Sequence, residues 1–276
     1  MRSAFILIFM FVLTSLCGQH IPVMTYNIKY DGQKTGPNDW ESRRGKMISL
    51  LKHYNPAILG IQEGLHHQVE FIDKNLDGHT FVGVGRNDGV TKGEYCAIYI
   101  DTSLFTITES NTFWLSEKPE EISIGWDAAM ERICTYVIIE IRSSNKKLLV
   151  LNTHFDHIGH EARIYSSELI VNKIQEINTL NYPVILMGDF NLLPESGAIL
   201  KIKEKLDDGK EISKRPLYGP PGTFNGFDSR LVTDRIDYIF TLGLEIGSYQ
   251  HIDDRMNDNK HVSDHLPVMA MIKYFK

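Results

Sequence analysis

A chain of 276 residues with 42% hydrophobic content carries enough apolar side chain for one large packed core, and no Gly, Pro or Ser run marks a linker. Its formal net charge of -6 leaves no basic footprint, which counts against a dedicated nucleic-acid binder, although a bound divalent cation can recruit an anionic substrate locally. Neither an internal repeat nor a low-complexity stretch is visible, so repeat architectures are excluded and one domain is expected.

The N-terminus differs in kind from the rest. Arg2 precedes an apolar run over residues 4–13, followed by Thr14-Ser15-Leu16-Cys17-Gly18-Gln19. A positive start, a short apolar stretch and a small-residue end describe a secretory signal peptide, and the run is too short to span a bilayer. We therefore expect a leader over residues 1–18, a mature domain over 19–276, and a secreted or periplasmic product. Leu16 is bulky where a lipoprotein leader has a small residue, so soluble export is expected over lipid anchoring through Cys17. Cys96 and Cys134 each sit in an apolar strand-like segment, which reads as two buried thiols rather than a disulfide.

In chain order, residues 21–28 read as a strand. Asn38 or Asp39 then caps a helix in which Trp40, Met47, Leu50, Leu51 and Tyr54 recur at helical spacing, and Pro56 ends it. A short buried strand at 57–61 leads to Gln62-Glu63-Gly64 and a second helix over about 65–76. Strand-like segments follow at 80–84, 95–100, 106–114, 133–141 and 147–153. A third helix over about 161–180 places Ala162, Tyr165, Leu169, Ile174 and Ile177 on one face. Residues 183–187 lead into Gly188-Asp189, and the tail supplies strands at 235–240, 244–249 and 267–274. Strands outnumber helices and lack regular alternation with them, which fits an α/β fold of two packed sheets with helices on the outer faces better than a doubly wound sheet.

Polar residues recur where these apolar strands stop: Asn27, Glu63, His154, Asp189 with Asn191, then Asp237 and Asp264-His265. Side by side, such strands would bring these groups to one sheet edge. Any one of them reads as a capping or turn residue, but the set does not. It is rich in oxygen donors and lacks a cysteine cluster, which suits a hard cation such as Mg²⁺, with Mn²⁺ as an alternative, better than structural zinc.

The segments Thr25-Tyr26-Asn27-Ile28, Ile61-Gln62-Glu63, Asn152-Thr153-His154, Gly188-Asp189-Phe190-Asn191, Arg235-Ile236-Asp237-Tyr238 and Ser263-Asp264-His265-Leu266-Pro267-Val268 resemble, in order, the motifs of the endonuclease/exonuclease/phosphatase superfamily. The resemblance implies a four-layer α/β/β/α sandwich of mixed sheets and hydrolysis of a phosphoric ester by water. It implies Glu63 as the main Mg²⁺ ligand, helped by Asn27 and Asp264, and His265, oriented by Asp237, as general base. His154 would donate to a phosphoryl oxygen, and Asp189 and Asn191 would hold the nucleophile and the transition state. Lys92-Gly93-Glu94-Tyr95 resembles the segment that supplies a carboxylate to the first histidine, which makes Glu94 the candidate partner of His154.

Thr112-Phe113-Trp114-Leu115-Ser116, Gly125-Trp126-Asp127, Arg132 and Thr153-His154-Phe155-Asp156-His157 are similar to a group of secreted bacterial members of uncertain substrate. Arg132 is a candidate phosphate contact, and Asp156 and His157 candidate pocket residues. Trp114 and Trp126 compete between substrate platform and core packing. The expected activity is that of a secreted Mg²⁺-dependent phosphodiesterase or small-molecule phosphatase. The alternatives are an extracellular deoxyribonuclease, a sphingomyelinase, for which no exposed aromatic hairpin is seen, and a non-catalytic binding protein on the same fold. The sequence carries no sign of oligomeric state.

Overall fold

The computed structural model describes residues 20–32, 36 and 38–273. The expected leader, with Cys17, lies outside them, as does Tyr274. The chain runs β1 (His20–Asn27), α1 (Trp40–Tyr54), β2 (Ile58–Gln62), α2 (His66–Asn75), β3 (His79–Val82), β4 (Ile98–Asp101), β5 (Phe105–Trp114), β6 (Ile133–Ile141), β7 (Lys147–His154), α3 (His160–Ile177), β8 (Val184–Asp189), α4 (Gly197–Lys203), β9 (Asp207–Asp208), β10 (Asp237–Leu242), β11 (Glu245–His251) and β12 (Val268–Lys273).

Two six-stranded sheets result, ordered β11-β12-β1-β2-β4-β3 and β5-β6-β7-β8-β10-β9. Both are mixed: β1 and β2 run parallel, as do β7 and β8, while their other neighbours are antiparallel. Successive side chains of a strand point to opposite faces, and in the central strands β1, β2, β7 and β8 both faces are covered, which is why these read as largely apolar runs. Val23, Ile58, Val150, Ile185 and Val268 pack between the sheets. Met24, Leu59 and Ile61 face Met47 and Leu51 of α1 and Val69 and Ile72 of α2. Leu149, Leu151 and Leu186 face Ile170 and Ile174 of α3 and Ile199 and Ile202 of α4. The layers are therefore helix, sheet, sheet, helix.

Local chemistry sets the helix ends. Asp39 accepts a hydrogen bond from the Ser42 amide at the start of α1, and Asn55 closes it in the left-handed region at φ 43 before Pro56. α3 stops at Ile177, short of 180, because the Asn178 side chain both accepts from the Tyr182 amide and donates to its carbonyl. The buried face of α3 also differs from expectation. It is built on Ala162, Ser166, Ser167, Ile170 and Ile174, while Tyr165 lies outside and stacks on Trp126. The strand expected from 95 begins at Ile98, since Tyr95 makes only an isolated bridge with Gly64. Both cysteines are buried free thiols, and burial pushes the Cys96 thiol up to about 12.

Gly188 sits in β8 at φ 149, against Thr153 of the parallel strand β7. A Cβ there would collide with the Thr153 carbonyl oxygen. Gly188→Ala is expected to destabilise the fold by about 2 kcal/mol or more in urea denaturation. A change within a few tenths of a kcal/mol would show that the strands yield freely.

His251 closes β11 and is buried. Its Nδ1 donates to the Pro220 carbonyl at 2.8 Å, and Nε2 has no partner. Burial, the largest influence, lowers its pKa to about 4. Between pH 4 and 6.5 the unfolded chain therefore binds more protons than the folded one at this residue, so stability falls as pH falls through that window, by up to about 3 kcal/mol. His251→Gln should flatten the decline of melting temperature over this range; an unaltered slope would assign it to other groups.

Candidate active site

The register of the sheets brings the polar strand ends together. Asn27 ends β1 beside Gln62 at the end of parallel β2, so Glu63 emerges next to Asn27. His154 ends β7 beside Asp189 at the end of parallel β8, and antiparallel β10 begins with Asp237 opposite Asp189. β12 begins at Val268, opposite Thr25 of β1, which sets Asp264 and His265 on the same edge. Glu63 and Asn191 adopt left-handed backbone, φ 63 and 50, a conformation that non-glycine residues hold only where surrounding structure enforces it.

Asp189 is the centre. Its Oδ2 accepts from Asn27 Nδ2 at 2.9 Å and lies 3.4 Å from His154 Nε2 and 3.7 Å from His265 Nε2. His265 Nδ1 is 2.9 Å from Asp237 Oδ2. Burial alone would hold His265 low, but Asp237 and Asp189 outweigh it and push its pKa up to about 10. Burial and the nearby Asp237 charge push Asp189 up to about 7. The pair therefore shares protons rather than ionising independently.

His154 is held differently. Asn191 Nδ2 donates to the Phe155 carbonyl and lies 3.1 Å from His154 Nε2, so that nitrogen accepts and the ring proton sits on Nδ1. Burial, then Arg132 and Arg86, lower its pKa well below the usual histidine value. One histidine thus favours the imidazolium and the other the neutral ring, set by environment alone. His154 Nδ1 has no hydrogen-bond partner, since the nearest Glu94 oxygen is 3.9 Å away. Glu94 is instead paired through both oxygens with the Arg86 guanidinium, which departs from the expected Glu94–His154 contact.

The oxygen donors gather on the other side. Asn27 Nδ2 donates to Glu63 Oε1 at 3.0 Å, and Lys29 Nζ lies 3.5 Å from Glu63 Oε2 and 3.1 Å from Asp264 Oδ2. Burial would raise the Glu63 pKa, but Lys29, His265 and hydrogen bonds from Asn27 and the Tyr30 amide hold it below the usual glutamate range. Two carboxylates turned to one ammonium mark a place that favours positive charge, and their hard oxygens, with Asn27 beside them, fit a divalent cation of the Mg²⁺ type. Among the described residues a second set, Asp189, Asp237 and His265, has ligand-type atoms within 4.8 Å of one another. Two of its three residues are already joined by the His265–Asp237 hydrogen bond.

These groups open on a cavity of about 510 Å³ whose wall includes Glu63, Glu94, Arg132, His154, His157, Asp189, Asn191, Asp264 and His265. Asn27 and Asp237 stand behind that wall and act through their neighbours. Asp156, expected to line the pocket, does not. It is fully enclosed, accepting from Arg132 Nε and from the amides of Ala129, Ile158 and Gly159. Neither tryptophan reaches the wall: Trp114 is buried with its indole donating to the Arg86 carbonyl, and Trp126 stacks on Tyr165. Lys29, Tyr30, Arg86, Met130 and Phe224 complete the cavity and were not expected from sequence. Of these only Lys29 and Tyr30 had a signal, since they follow the strand-end Asn27-Ile28 directly.

Residues 24–265 match the Endonuclease/Exonuclease/phosphatase family. In solved structures the chain is similar to the mannosyl-6-phosphatase of Bacteroides thetaiotaomicron, with 32% identity, a TM-score of 0.88, and coverage of 92% of this chain and 100% of that one. An endonuclease/exonuclease/phosphatase protein of Bacteroides vulgatus gives 32% identity and a TM-score of 0.87 over 94% and 100%. A probable RNA exonuclease of Saccharomyces cerevisiae is 28% identical over 207 residues, 67% of this chain and 40% of its own length. The chain spans about half the length of the curated relatives it matches, 40% to 59%. With the motifs in order, the two mixed sheets and a match over most of its length, this chain belongs to the endonuclease/exonuclease/phosphatase family of phosphoester hydrolases.

Proposed function

We propose that the protein is an exported, divalent-cation-dependent phosphatase of small phosphorylated molecules, sugar phosphates among them, with water as nucleophile. The observation that carries this reading is Asp189 between two histidines of opposite charge preference, beside a carboxylate pair that already gathers a cation. Export rests on Arg2 and the apolar run that follows it. No helix among the described residues is long and apolar enough to cross a membrane.

Water at Asp189 Oδ2 would lose its proton to the Asp189–His265 pair as it attacks phosphorus. Asp237 fixes the His265 ring and favours its imidazolium form, so the proton passes to the Asp189 carboxylate, which the imidazolium orients and stabilises in its ionised form. Asn191 and His154 face the phosphoryl oxygens. An arriving phosphate dianion favours protonation of His154, which turns Nε2 into a donor. Glu63 and Asp264, with Asn27 hydrogen-bonded to Glu63 behind them, would hold Mg²⁺ or Mn²⁺, whose charge would offset that building up on the phosphoryl group. Water serves as the nucleophile without a covalent intermediate, since no Ser, Thr or Cys among the described residues lines the cavity.

Small phosphate esters are favoured over nucleic acid by the acidic chain and by the similarity to a mannosyl-6-phosphatase along almost its whole length. The test is a screen of the purified mature chain, with Mg²⁺ or Mn²⁺, across hexose phosphates, phosphodiesters, DNA, RNA and sphingomyelin. Phosphate release from hexose phosphates above all others is expected. Turnover confined to nucleic acid would replace this reading with the nuclease one.

A further inference from the structure

We propose that Arg86 and Arg132 form a paired guanidinium clamp for the non-bridging oxygens of a phosphomonoester dianion, and that this clamp selects monoesters against diesters. The inference rests on the phosphoesterase reading above and adds to it the charge class of the substrate.

Both arginines line the catalytic cavity, yet they are only 8% and 4% exposed. Each is fixed by its own carboxylate. Arg86 Nη1 and Nη2 each lie 2.9 Å from a different Glu94 oxygen. Arg132 Nε lies 3.2 Å from Asp156 Oδ2, and its Nη2 donates to His157 Nδ1 at 2.9 Å. With Nδ1 accepting that bond, His157 Nε2 is left as a donor beside the two guanidinium groups on the cavity wall.

The loop carrying Arg86 is itself tied down. Asp88 Oδ1 accepts three successive amides, from Val90, Thr91 and Lys92, and Trp114 donates to the Arg86 carbonyl. Folding nonetheless leaves Arg86 Nε and Arg132 Nη1 buried without a partner. Buried donors of charged groups are rarely left so, and both belong to side chains that line the cavity. Glu94, paired with Arg86, also lies 3.9 Å from His154 Nδ1, which sets Arg86 at the His154 end of the cavity.

A monoester presents three non-bridging oxygens and two negative charges; a diester presents two oxygens and one charge. The N–H groups that Glu94, Asp156 and His157 leave over on the two guanidinium groups add donors and positive field that the former uses more fully. Met130 lines the same cavity, with its sulfur 2.9 Å from Arg86 Nη2.

The experiment compares 4-nitrophenyl phosphate with methyl 4-nitrophenyl phosphate, which share a leaving group and differ only in the second ester. Rates are measured at saturating Mg²⁺ for the wild type, Arg86→Gln, Arg132→Gln, Arg86→Lys and the double variant Arg86→Gln/Glu94→Gln. The double variant removes the carboxylate that a lone Arg86→Gln change would strand. The wild type should prefer the monoester in kcat/KM. Each Arg→Gln variant and the double variant should lose at least tenfold of that preference, mainly through KM of the monoester, with Arg86→Lys retaining part. Inhibition by inorganic phosphate should weaken in parallel.

A preference unchanged within twofold, or equal losses on both esters, would overturn the clamp in favour of a structural role. If the folded wild type turned over neither ester, the phosphoesterase reading would fail by itself. Calorimetric titration with inorganic phosphate would then decide the clamp: binding lost in Arg86→Gln and Arg132→Gln upholds it, and equal binding refutes it.

Discussion

His265→Ala and His154→Ala should each lower kcat by about a hundredfold or more, the size expected for loss of a general base or of a donor to the developing phosphoryl charge. The two losses arise differently. His265 is joined to Asp237 at 2.9 Å and faces Asp189 across 3.7 Å, so its removal strips the pair that takes the water proton. His154 is 3.1 Å from Asn191 and 3.4 Å from Asp189, so its removal leaves the phosphoryl oxygens short of a donor. Asp237→Asn should also damage kcat with little change in KM, because an amide no longer favours the ring tautomer and charge that Asp237 imposes. Melting temperatures should stay within a few degrees of wild type, since the apolar clusters lie between and outside the sheets rather than at this edge. Near-wild-type turnover in both histidine variants would favour a binding protein on this fold.

Removal of divalent cations should abolish turnover, and Mg²⁺ or Mn²⁺ should restore it. Without a cation, the Glu63 and Asp264 carboxylates share the Lys29 ammonium, and a phosphate ester would meet two buried negative groups. Glu63→Ala should raise the Mg²⁺ concentration for half-maximal activity by about tenfold or more, as should Asp264→Ala. Asn27 also supports Glu63 and Asp189 through hydrogen bonds, so Asn27→Ala should affect both cation dependence and kcat. Full activity in excess chelator would refute the cation mechanism.

The site was legible where sequence and topology agree. A strand covered on both faces must be apolar along its length, so the first polar residue beyond it stands out. Asn27, Glu63, His154 and Asp189 are the charged, amide or imidazole groups at such strand ends, and parallel pairing then aligns them. Arg86 gave no comparable sign, because it lies in a turn-rich segment shaped by Asp88 rather than by periodicity. Glu94 was found as a carboxylate near His154, yet its choice of Arg86 is a matter of side-chain reach that no spacing encodes. Asp156 looked like a wall residue because it follows His154, but the chain turns inward there and uses it to hold Arg132.

The fold was legible to a similar depth. Long runs with strong periodicity announced α1 and β5 to β8, whereas α4, at seven residues, and β9, at two, are too short to display a period. The apolar face of α3 was misread because it packs through Ser166 and Ser167, small enough to approach the sheet, while Tyr165 finds Trp126 instead. Phe224, tilted on the His265 ring at 5.0 Å, belongs to a segment with no regular structure and was invisible for that reason.

The central claim, that this strand-end edge hydrolyses small phosphate esters, is tested most directly by inorganic phosphate release from a hexose 6-phosphate at saturating Mg²⁺. Wild type and the His154→Ala/His265→Ala double variant are assayed side by side, with folding verified by thermal melting. Steady release by the wild type and at least a thousandfold less by the folded double variant is the predicted result. Equal release by the two proteins, or none by a folded, Mg²⁺-loaded wild type, would contradict it.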